Sequence, residues 1–439
     1  MNVSDMQIEK IGKCKINNPM HQSFFIDEND RILFTSQLKE LKPYIEVCGE
    51  IPSFEMAGPR KRIYFDPSKI CCGIVTCGGL CPGTNDVIRA IVMSLYHHYG
   101  VRTIWGFRYG FEGLSPQYGH VPVALTPDVV REIHNQGGTI LGSSRGPQDV
   151  SSMVDTLEQM HISTLYTIGG DGTMRGATAI CEEINRRGLK VNIIGVPKTI
   201  DNDISYIDMS FGYITAVEAS NTSTYTAYVE ATGARNGIGL VKLMGRESGF
   251  IAASASLANN VVNFCLVPEV DFSLEGFLNA LKKRITRRGY AVIVVGEGAG
   301  QNLMIDDRKK MGTDPSGNLK LGDIGLFLKQ KICEFFDKEK VDITLKYIDP
   351  SYTIRSEPAN AYDSAFCLLL GYNAVHAGMT GRTNMFIGHS NNQFTHVPIP
   401  LAAYERKKID PLGRMWEDVI SCTGQPENMV TCHLKEADN

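Results

Sequence analysis

The sequence lacks an uninterrupted apolar run of about 18 residues, the length that a helix needs to cross a lipid bilayer. Its first residues, MNVSDMQIEKIGK, lack the apolar stretch of a secretory signal, and KEADN at its end is neither a peroxisomal address nor a prenylation site. These absences predict a cytoplasmic protein that makes no contact with a membrane. Without a secretion signal, the 12 cysteines are expected to be free thiols.

An excess of basic residues is also missing. The chain has 44 Lys and Arg residues against 48 Asp and Glu residues, and this balance argues against nucleic-acid binding, which needs a basic surface. Hydrophobic residues make up 43% and charged residues 21%, as in ordinary globular proteins, so a chain that is disordered throughout is excluded. At about 150 residues per domain, the length of 439 residues predicts two large folding units or three smaller ones.

What the sequence does have is an alternation of short apolar runs and helix-like stretches, which begins at Lys69. The runs are KICCGIVTC, VRTIWGFRYG, ISTLYTIGG and VNIIGVPKT, followed by NGIGLVKLMG, NFCLVPE and YAVIVVGEG. Near-continuous apolar strands separated by helices are typical of parallel sheets covered on both faces. We therefore predict an α/β protein with two doubly wound, Rossmann-like halves. Because ligands of such sheets bind at the carboxyl ends of the strands, we expect the active site in the cleft between the halves.

The predicted organisation has four parts. A polar stretch without clear periodicity forms an N-terminal extension, which we expect to pack on the outside of the core. Two α/β domains and a C-terminal tail follow it. The predicted boundaries are 1–68 for the extension, 69–211 for the first domain, which 352–410 completes, 212–351 for the second domain and 411–439 for the tail.

Two glycine-rich turns follow predicted strands of the first domain. The segment 78–85, GGLCPGTN, precedes a helix for which Thr84 is the expected N-cap. Glycines there let backbone amides approach a phosphate, although tight packing is the alternative explanation. The second turn, GGDGT, places Asp171 between glycines at a helix start. Its carboxylate suits Mg²⁺, which takes one or two carboxylates together with phosphate oxygens, whereas a helix-capping Asp is the structural alternative.

A third strand end carries the run PKTIDND at residues 197–203. Two carboxylates and a hydroxyl lie there, next to the expected phosphate site. A kinase needs a base to take a proton from the acceptor hydroxyl while positioning of the phosphates does the rest. Asp201 is the candidate base, and a solvated acidic turn is the alternative.

The motifs GGxxPGxN, GGDGT, PKTIDND, MGR and IDPSYxxR, in this order between Lys69 and Thr383, resemble those of the 6-phosphofructokinases. The chain length, the extension and PKTIDND resemble the long group related to the pyrophosphate-dependent enzymes, and GGDGT resembles its ATP-dependent branch. The resemblance implies transfer of the ATP γ-phosphoryl group to the 1-hydroxyl of fructose 6-phosphate, a step of glycolysis. It also implies Mg²⁺ as cofactor, ATP as co-substrate, an allosteric homodimer or homotetramer, and binding of ATP and fructose 6-phosphate by the first and second domains.

The resemblance implies a role for particular residues. Asp201 matches the base that deprotonates the sugar 1-hydroxyl, and Asp171 matches the Mg²⁺ residue. Contacts to the nucleotide and its phosphates are implied for Gly79, Tyr109, Arg145, Gly146, Gly170, Asp171, Gly172 and Thr173. Contacts to the sugar phosphate are implied for Thr199, Ile200, Asp201, Asp203, Met244, Gly245, Arg246, Glu297, Tyr352 and Arg355. Within that second set, Glu297 matches the carboxylate that holds sugar hydroxyls, and Tyr352 and Arg355 match the 6-phosphate contacts.

Two residues bear on the choice of phosphoryl donor. In pyrophosphate-dependent enzymes an Asp replaces the glycine that follows the GGD aspartate, where its carboxylate would crowd and repel the α-phosphate of a nucleotide. This chain has Gly172 there, which favours ATP. Lys198 accompanies pyrophosphate use elsewhere, so a pyrophosphate-dependent enzyme is the closest alternative. An NAD or lipid kinase and a non-catalytic regulatory paralogue are more distant, since TIDND, MGR and YxxR point to a sugar-phosphate pocket and Asp171 and Asp201 are both present.

One position departs from the pattern. Short bacterial enzymes of this family carry an Arg nine residues before the arginine of MGR, which reaches across the subunit boundary. The corresponding residue here is Gly237. Arg235 is close in sequence, but the pattern gives it no place in the site.

Overall fold

The computed structural model describes residues 3–21, 24–48, 51–305, 312, 320–402 and 406–430. The chain divides into two compact units. Unit 1 takes the described residues of Met1–Ile200, Ile204–Ile214 and Arg355–Arg406. Unit 2 takes those of Asp201–Asp203, Thr215–Ile354 and Lys407–Asn439. Of the predicted tail 411–439, residues 431–439 lie outside the described residues.

Strands and helices alternate through most of the described chain. The strands are β1 (Glu9–Lys10), β2 (Ile16–Asn17), β3 (Arg31–Leu33), β4 (Ser53–Met56), β5 (Arg62–Ile63), β6 (Cys71–Thr76), β7 (Thr103–Phe107), β8 (Val123–Ala124), β9 (Ile162–Gly169), β10 (Asn192–Pro197), β11 (Gly237–Leu243), β12 (Phe264–Leu266), β13 (Tyr290–Gly296), β14 (Thr344–Ile348), β15 (Arg382–Thr383), β16 (Met385–Ser390) and β17 (Gln393–Pro398). The helices are α1 (Leu38–Cys48), α2 (Thr84–Met93), α3 (Val150–Gln159), α4 (Asp171–Arg187), α5 (Tyr213–Thr232), α6 (Phe250–Ala258), α7 (Leu274–Arg288), α8 (Ile324–Lys338), α9 (Ser351–Ser356), α10 (Ala361–Met379), α11 (Ile399–Ala402) and α12 (Arg414–Thr423).

Unit 1 is built on a nine-stranded sheet in the order β3-β4-β17-β16-β10-β9-β6-β7-β8. The five strands from β16 to β7 run parallel, and the outer strands pair antiparallel. Every residue of β6 and β10 is buried, as expected for strands in the middle of a covered sheet. Unit 2 has a four-stranded, all-parallel sheet in the order β12-β13-β11-β14, with Phe277 and Phe336 among its fully buried core residues. The predicted α/β class, with two Rossmann-like halves, is confirmed.

The N-terminal extension, which was expected to pack on the outside of the core, contributes strands and buried residues to unit 1. It supplies β3 and β4 to one edge of the large sheet, and Met6 and Phe54 are fully buried in the core of unit 1. Arg382, which is 1% exposed, pairs with Glu55 of β4 at 2.7 Å and with Glu28 at 2.9 Å. Burial raises the pKa of Glu55, but the hydrogen bond with His396 and the charge of Arg382 outweigh it and hold that pKa well below the usual range. Ion pairs around the buried Arg382 therefore tie the extension to the rest of unit 1.

One strand of unit 2 was not predicted. The segment ITLKYIDPSYTIRS is absent from the apolar runs that predict strands, but its residues Thr344–Ile348 form β14, which pairs parallel with β11. The residues of β14 are only partly buried, as befits an edge strand, and the near-continuous apolar pattern that marks the central strands is absent from them.

The first residue of β11 packs tightly against α5. Gly237 pairs with Tyr290 on one side and Thr344 on the other, so its backbone is fixed in the sheet. A Cβ at this position would overlap the carbonyl group of Ala231. The site that holds an arginine in short bacterial enzymes therefore has no room for any side chain here.

We expect Gly237→Ala to lower the free energy of unfolding by about 1–3 kcal/mol, the usual cost of overpacking, and so to lower the melting temperature by several degrees. Thermal unfolding followed by circular dichroism measures this. Gly172→Ala is the matched control, since nothing lies within 4 Å of the Cβ position of Gly172. Equal melting temperatures for the two variants would show that the backbone at the start of β11 can shift to make room for a methyl group, and would contradict the prediction.

Candidate active site

Three turns of unit 1 follow the carboxyl ends of neighbouring parallel strands. Thr76 of β6 and Val196 of β10 both align with Ile168 of β9, so the three strands end at the same level. The segments that follow begin with Cys77, Gly170 and Lys198. Because parallel strands put their carboxyl ends on one edge, this register brings the glycine-rich turns and the lysine together.

The turn after β6 presents bare backbone. Gly78 has a φ of +84°, and it is held by a hydrogen bond from its N–H to the Ser144 carbonyl (3.0 Å) and one from the Ser143 hydroxyl to its own carbonyl (2.6 Å). A Cβ on Gly79 would lie 3.2 Å from a guanidinium nitrogen of Arg145. The predicted phosphate contacts Gly79 and Arg145 are therefore neighbours.

The helix that follows this turn is capped differently from the prediction. Thr84 was expected to be the N-cap of α2, but it is the first residue of the helix, and Gly83 with a φ of 93° is the N-cap. The Thr84 hydroxyl instead donates a hydrogen bond to the Cys81 carbonyl at 2.8 Å. A glycine at 83 suits the left-handed backbone that the turn requires, and this leaves no capping role for a hydroxyl.

Lys198 links two of the turns. Its ammonium group donates a hydrogen bond to the Gly79 carbonyl, and its backbone N–H donates to the Gly169 carbonyl at 2.9 Å. Burial lowers the pKa of Lys198, and the positive charges of Arg145 and Arg355 lower it further. The side chain thus stabilises the Gly79 turn from inside the protein.

The GGDGT segment forms the start of α4. Gly170 is the N-cap and Asp171 is the first helical residue, while the Thr173 N–H donates to the Gly170 carbonyl at 2.9 Å. A carboxylate at this position is favoured by the partial positive charge of a helix N-terminus. Asp171 also forms an ion pair of 2.8 Å with Arg406. The next residue, Gly172, faces open space at its Cβ position.

Tyr109 lies on the same side of unit 1 as Arg145. Its backbone is left-handed, with a φ of 59°, and its carbonyl accepts a hydrogen bond of 2.6 Å from Ser144. The residue is 41% exposed, and its ring lies 4.7 Å, centroid to centroid, from the ring of His120. Gly146, which follows Arg145, has a φ of +104°, a conformation that favours glycine. The segment 143–146 thus connects Tyr109 to the Gly78–Gly79 turn.

Unit 2 brings a second set of predicted residues together. Met244, Gly245 and Arg246 follow β11, and Glu297 follows its parallel neighbour β13. The Glu297 N–H donates to the Leu243 carbonyl at 2.8 Å, and the N–H of the next residue donates to the Gly245 carbonyl at 3.0 Å. These bonds place the backbone of the MGR segment beside the backbone at Glu297.

The TIDND run crosses from one unit to the other. Thr199 and Ile200 belong to unit 1, and Asp201 to Asp203 belong to unit 2. The Asp201 carbonyl accepts a hydrogen bond from the Ser248 hydroxyl at 3.2 Å, and the Asp203 carbonyl accepts one from the Lys407 N–H at 2.8 Å. Between the two carboxylates, Asn202 has a left-handed backbone with a φ of 54°. The backbone on either side of this strained residue is therefore anchored.

The short helix α9 carries the remaining predicted residues. Tyr352 lies in unit 2 and is 82% exposed. Arg355 is half-buried and belongs to unit 1, where its positive charge adds to the lowering of the pKa of Lys198 by burial. Among the predicted sugar-phosphate residues, Arg355, Thr199 and Ile200 thus fall in unit 1 and the others in unit 2.

Sequence reasoning missed two basic residues near the C-terminus. Arg406 reaches Asp171, and Lys407 contacts the Asp203 backbone and lies with its ammonium group 5.2 Å from the centre of the Phe250 ring. The segment ERKKID has no glycine-rich turn and follows no apolar strand. Its charge run looks like a solvated surface, so no signal in the sequence marked it.

Comparison with known proteins gives one consistent answer. The sequence profile of a family described as phosphofructokinase matches residues 71–378. A relative from Borreliella burgdorferi named ATP-dependent 6-phosphofructokinase is 48% identical, over 97% of this chain and 98% of its own length. A relative of the same name from Amycolatopsis methanolica is 45% identical, over 99% and 98%. A solved structure, titled pyrophosphate-dependent phosphofructokinase from Marinobacter aquaeolei, has a TM-score of 0.67 over 82% of this chain and 93% of its own, at 18% identity, which supports the fold alone.

Among the described residues, no helix has the length and apolar character that a membrane span needs.

The family match covers both glycine-rich turns, PKTIDND, MGR and IDPSYxxR, and the strand ends bring these motifs together within each unit. The chain therefore belongs to the phosphofructokinase family.

Proposed function

We propose that this chain transfers the γ-phosphoryl group of ATP to the 1-hydroxyl of fructose 6-phosphate and releases fructose 1,6-bisphosphate and ADP. The observation that carries the choice of donor is the open space beside Gly172 at the start of α4. Relatives that are 42–48% identical over most of this chain carry the name ATP-dependent 6-phosphofructokinase, which supports ATP over pyrophosphate.

Unit 1 supplies the groups proposed to hold ATP. Bare backbone at Gly79 and Gly170 lets amide groups approach phosphate oxygens, and the start of α4 favours negative charge. Arg145 lies against Gly79, where its planar guanidinium suits a phosphate. Charge spreads over the three equatorial oxygens of the transferring phosphoryl group, so fixed positive groups at this position lower the barrier. The ring of Tyr109 is proposed to contact the nucleoside.

The metal proposed for the reaction is Mg²⁺, held by Asp171. Among the described residues, no group of three or more His, Cys, Asp or Glu side chains could hold a metal ion. One carboxylate fits Mg²⁺ nevertheless, since this ion commonly keeps several waters and takes its other ligands from substrate phosphates. When bound, the ion would offset negative charge on the nucleotide phosphates.

Asp201 is the proposed base, and unit 2 supplies the groups proposed to hold the sugar phosphate. Asp201 would accept the proton of the sugar 1-hydroxyl as that oxygen attacks the γ-phosphorus. Its backbone carbonyl accepts a hydrogen bond from the Ser248 hydroxyl, which holds the backbone that carries the proposed base. Arg246 and Glu297, on adjacent turns, suit a phosphate dianion and sugar hydroxyls.

The remaining sequence predictions stay predictions. Lys198 suggests pyrophosphate as the alternative donor. The ammonium group of Lys198, however, donates a hydrogen bond to the Gly79 carbonyl within the protein. We also propose that the chain assembles as a homodimer or homotetramer, that it is allosterically regulated and that it is cytoplasmic.

The variant Gly172→Asp tests the donor assignment. A Cβ has room here, so the protein should fold, but a carboxylate beside the nucleotide phosphates would repel them. We expect kcat/KM for ATP to fall by about tenfold or more, which corresponds to roughly 1.4 kcal/mol. Gly172→Ala, which adds a methyl group without charge, should stay within about threefold of the wild type. Equal ATP kinetics in Gly172→Asp would remove this position from donor selection.

The variant Asp201→Asn tests the base. The amide keeps the shape of the carboxylate but cannot accept the proton, so kcat should fall by about 10²–10⁴-fold, the usual contribution of a general base. The KM for fructose 6-phosphate should change much less. Steady-state kinetics with both substrates varied measure these constants, and a circular dichroism melt of the same preparation checks folding. A near-normal kcat would exclude Asp201 as the base.

A further inference from the structure

The ion pair between Asp171 and Arg406 has no role in the function described so far. It joins the Nη2 atom of Arg406 to the Oδ2 atom of Asp171 at 2.8 Å, and the two side chains are 27% and 21% exposed. Asp171 is the carboxylate proposed to hold Mg²⁺. The guanidinium thus lies at one of the two carboxylate oxygens that could bind a metal ion.

The position of Arg406 is set by its backbone. Arg406 forms an antiparallel bridge with Ile204, and the next residue, Lys407, donates its N–H to the Asp203 carbonyl at 2.8 Å. Two residues further on, the Ile409 N–H donates to a carboxylate oxygen of Glu269 at 2.9 Å. Within unit 1, the bridge to Ile204 indicates that the arginine reaches Asp171 from a backbone that is held in place.

Both partners of the ion pair keep some contact with solvent. A partly solvated ion pair has only a small net effect on stability, because water screens the charges and the side chains lose freedom. An interaction of this size can be exchanged for a divalent cation that also bonds to nucleotide phosphates. The pair is therefore strong enough to hold the carboxylate and weak enough to release it.

We infer that Arg406 is a counter-ion that competes with the divalent cation for Asp171, and so sets how tightly the cation–nucleotide complex binds. Arg406 is a positioning residue in this scheme: it holds the carboxylate of Asp171 at the start of α4 until the cation displaces the guanidinium. The inference rests on the proposed metal role of Asp171.

The test measures cation binding without turnover. Mn²⁺ replaces Mg²⁺, the protein is the full chain in the presence of ADP, and electron paramagnetic resonance reports free Mn²⁺ during a titration. We expect Arg406→Gln to bind Mn²⁺ about two- to fivefold more tightly than the wild type, the factor that loss of a weak, partly solvated ion pair gives. Arg406→Lys, which keeps the charge but not the planar fork, should show a smaller gain and carries the test if Arg406→Gln does not fold.

Two further variants separate the possible outcomes. Arg414→Gln removes the same charge from an arginine that is 94% exposed, and it should leave Mn²⁺ binding unchanged. Asp171→Asn should weaken Mn²⁺ binding. Suppose that Asp171→Asn weakens Mn²⁺ binding but that Arg406→Gln leaves Mn²⁺ binding unchanged or weaker. The proposed competition between Arg406 and the cation is then overturned, and the metal role of Asp171 stands. If Asp171→Asn has no effect, the metal role itself is overturned, and the inference with it. A purely structural Arg406 would lower the melting temperature without tightening Mn²⁺ binding.

Discussion

The parallel register of β6, β9 and β10 is the constraint on which the donor side of the site depends. Since Thr76 and Val196 both align with Ile168, the glycine-rich turns and Lys198 leave the sheet at one level. Their backbones then bond to one another directly, as in the hydrogen bond from Lys198 to the Gly169 carbonyl. A slip of one residue in any of these strands would reverse its buried faces and move its turn away from the other two.

The charges of unit 1 are arranged around these turns. Burial lowers the pKa of Lys198, and the positive charges of Arg145 and Arg355 lower it further. This charge arrangement is consistent with the proposed binding of phosphates, which would offset the mutual repulsion of the cations. Asp171, at the start of α4, is the one carboxylate among the residues proposed for the donor, and Arg406 balances it.

The sequence was sufficient for the fold class, the central strands and the family. Continuous apolar runs such as those of β6 and β10 can be recognised because both faces of a central strand are buried. The edge strand β14 and the N-terminal strands β3 and β4 lack that pattern, since they are short and partly exposed. Thr84 was misjudged because a hydroxyl at a helix start usually caps it, whereas the glycine before it holds the left-handed conformation. The place of Arg406 in the site could not be predicted at all, because its ion pair with Asp171, more than 200 positions away in the sequence, forms only in the folded chain.

The assignment of an ATP-dependent phosphofructokinase is tested most directly by offering the purified chain fructose 6-phosphate and Mg²⁺ with ATP or with pyrophosphate in separate reactions. Phosphorus NMR of each mixture identifies the products without coupling enzymes. The account predicts fructose 1,6-bisphosphate and ADP from the ATP reaction and no comparable turnover with pyrophosphate. Faster formation of the bisphosphate with pyrophosphate would contradict the donor assignment, and its absence with both donors would contradict the activity.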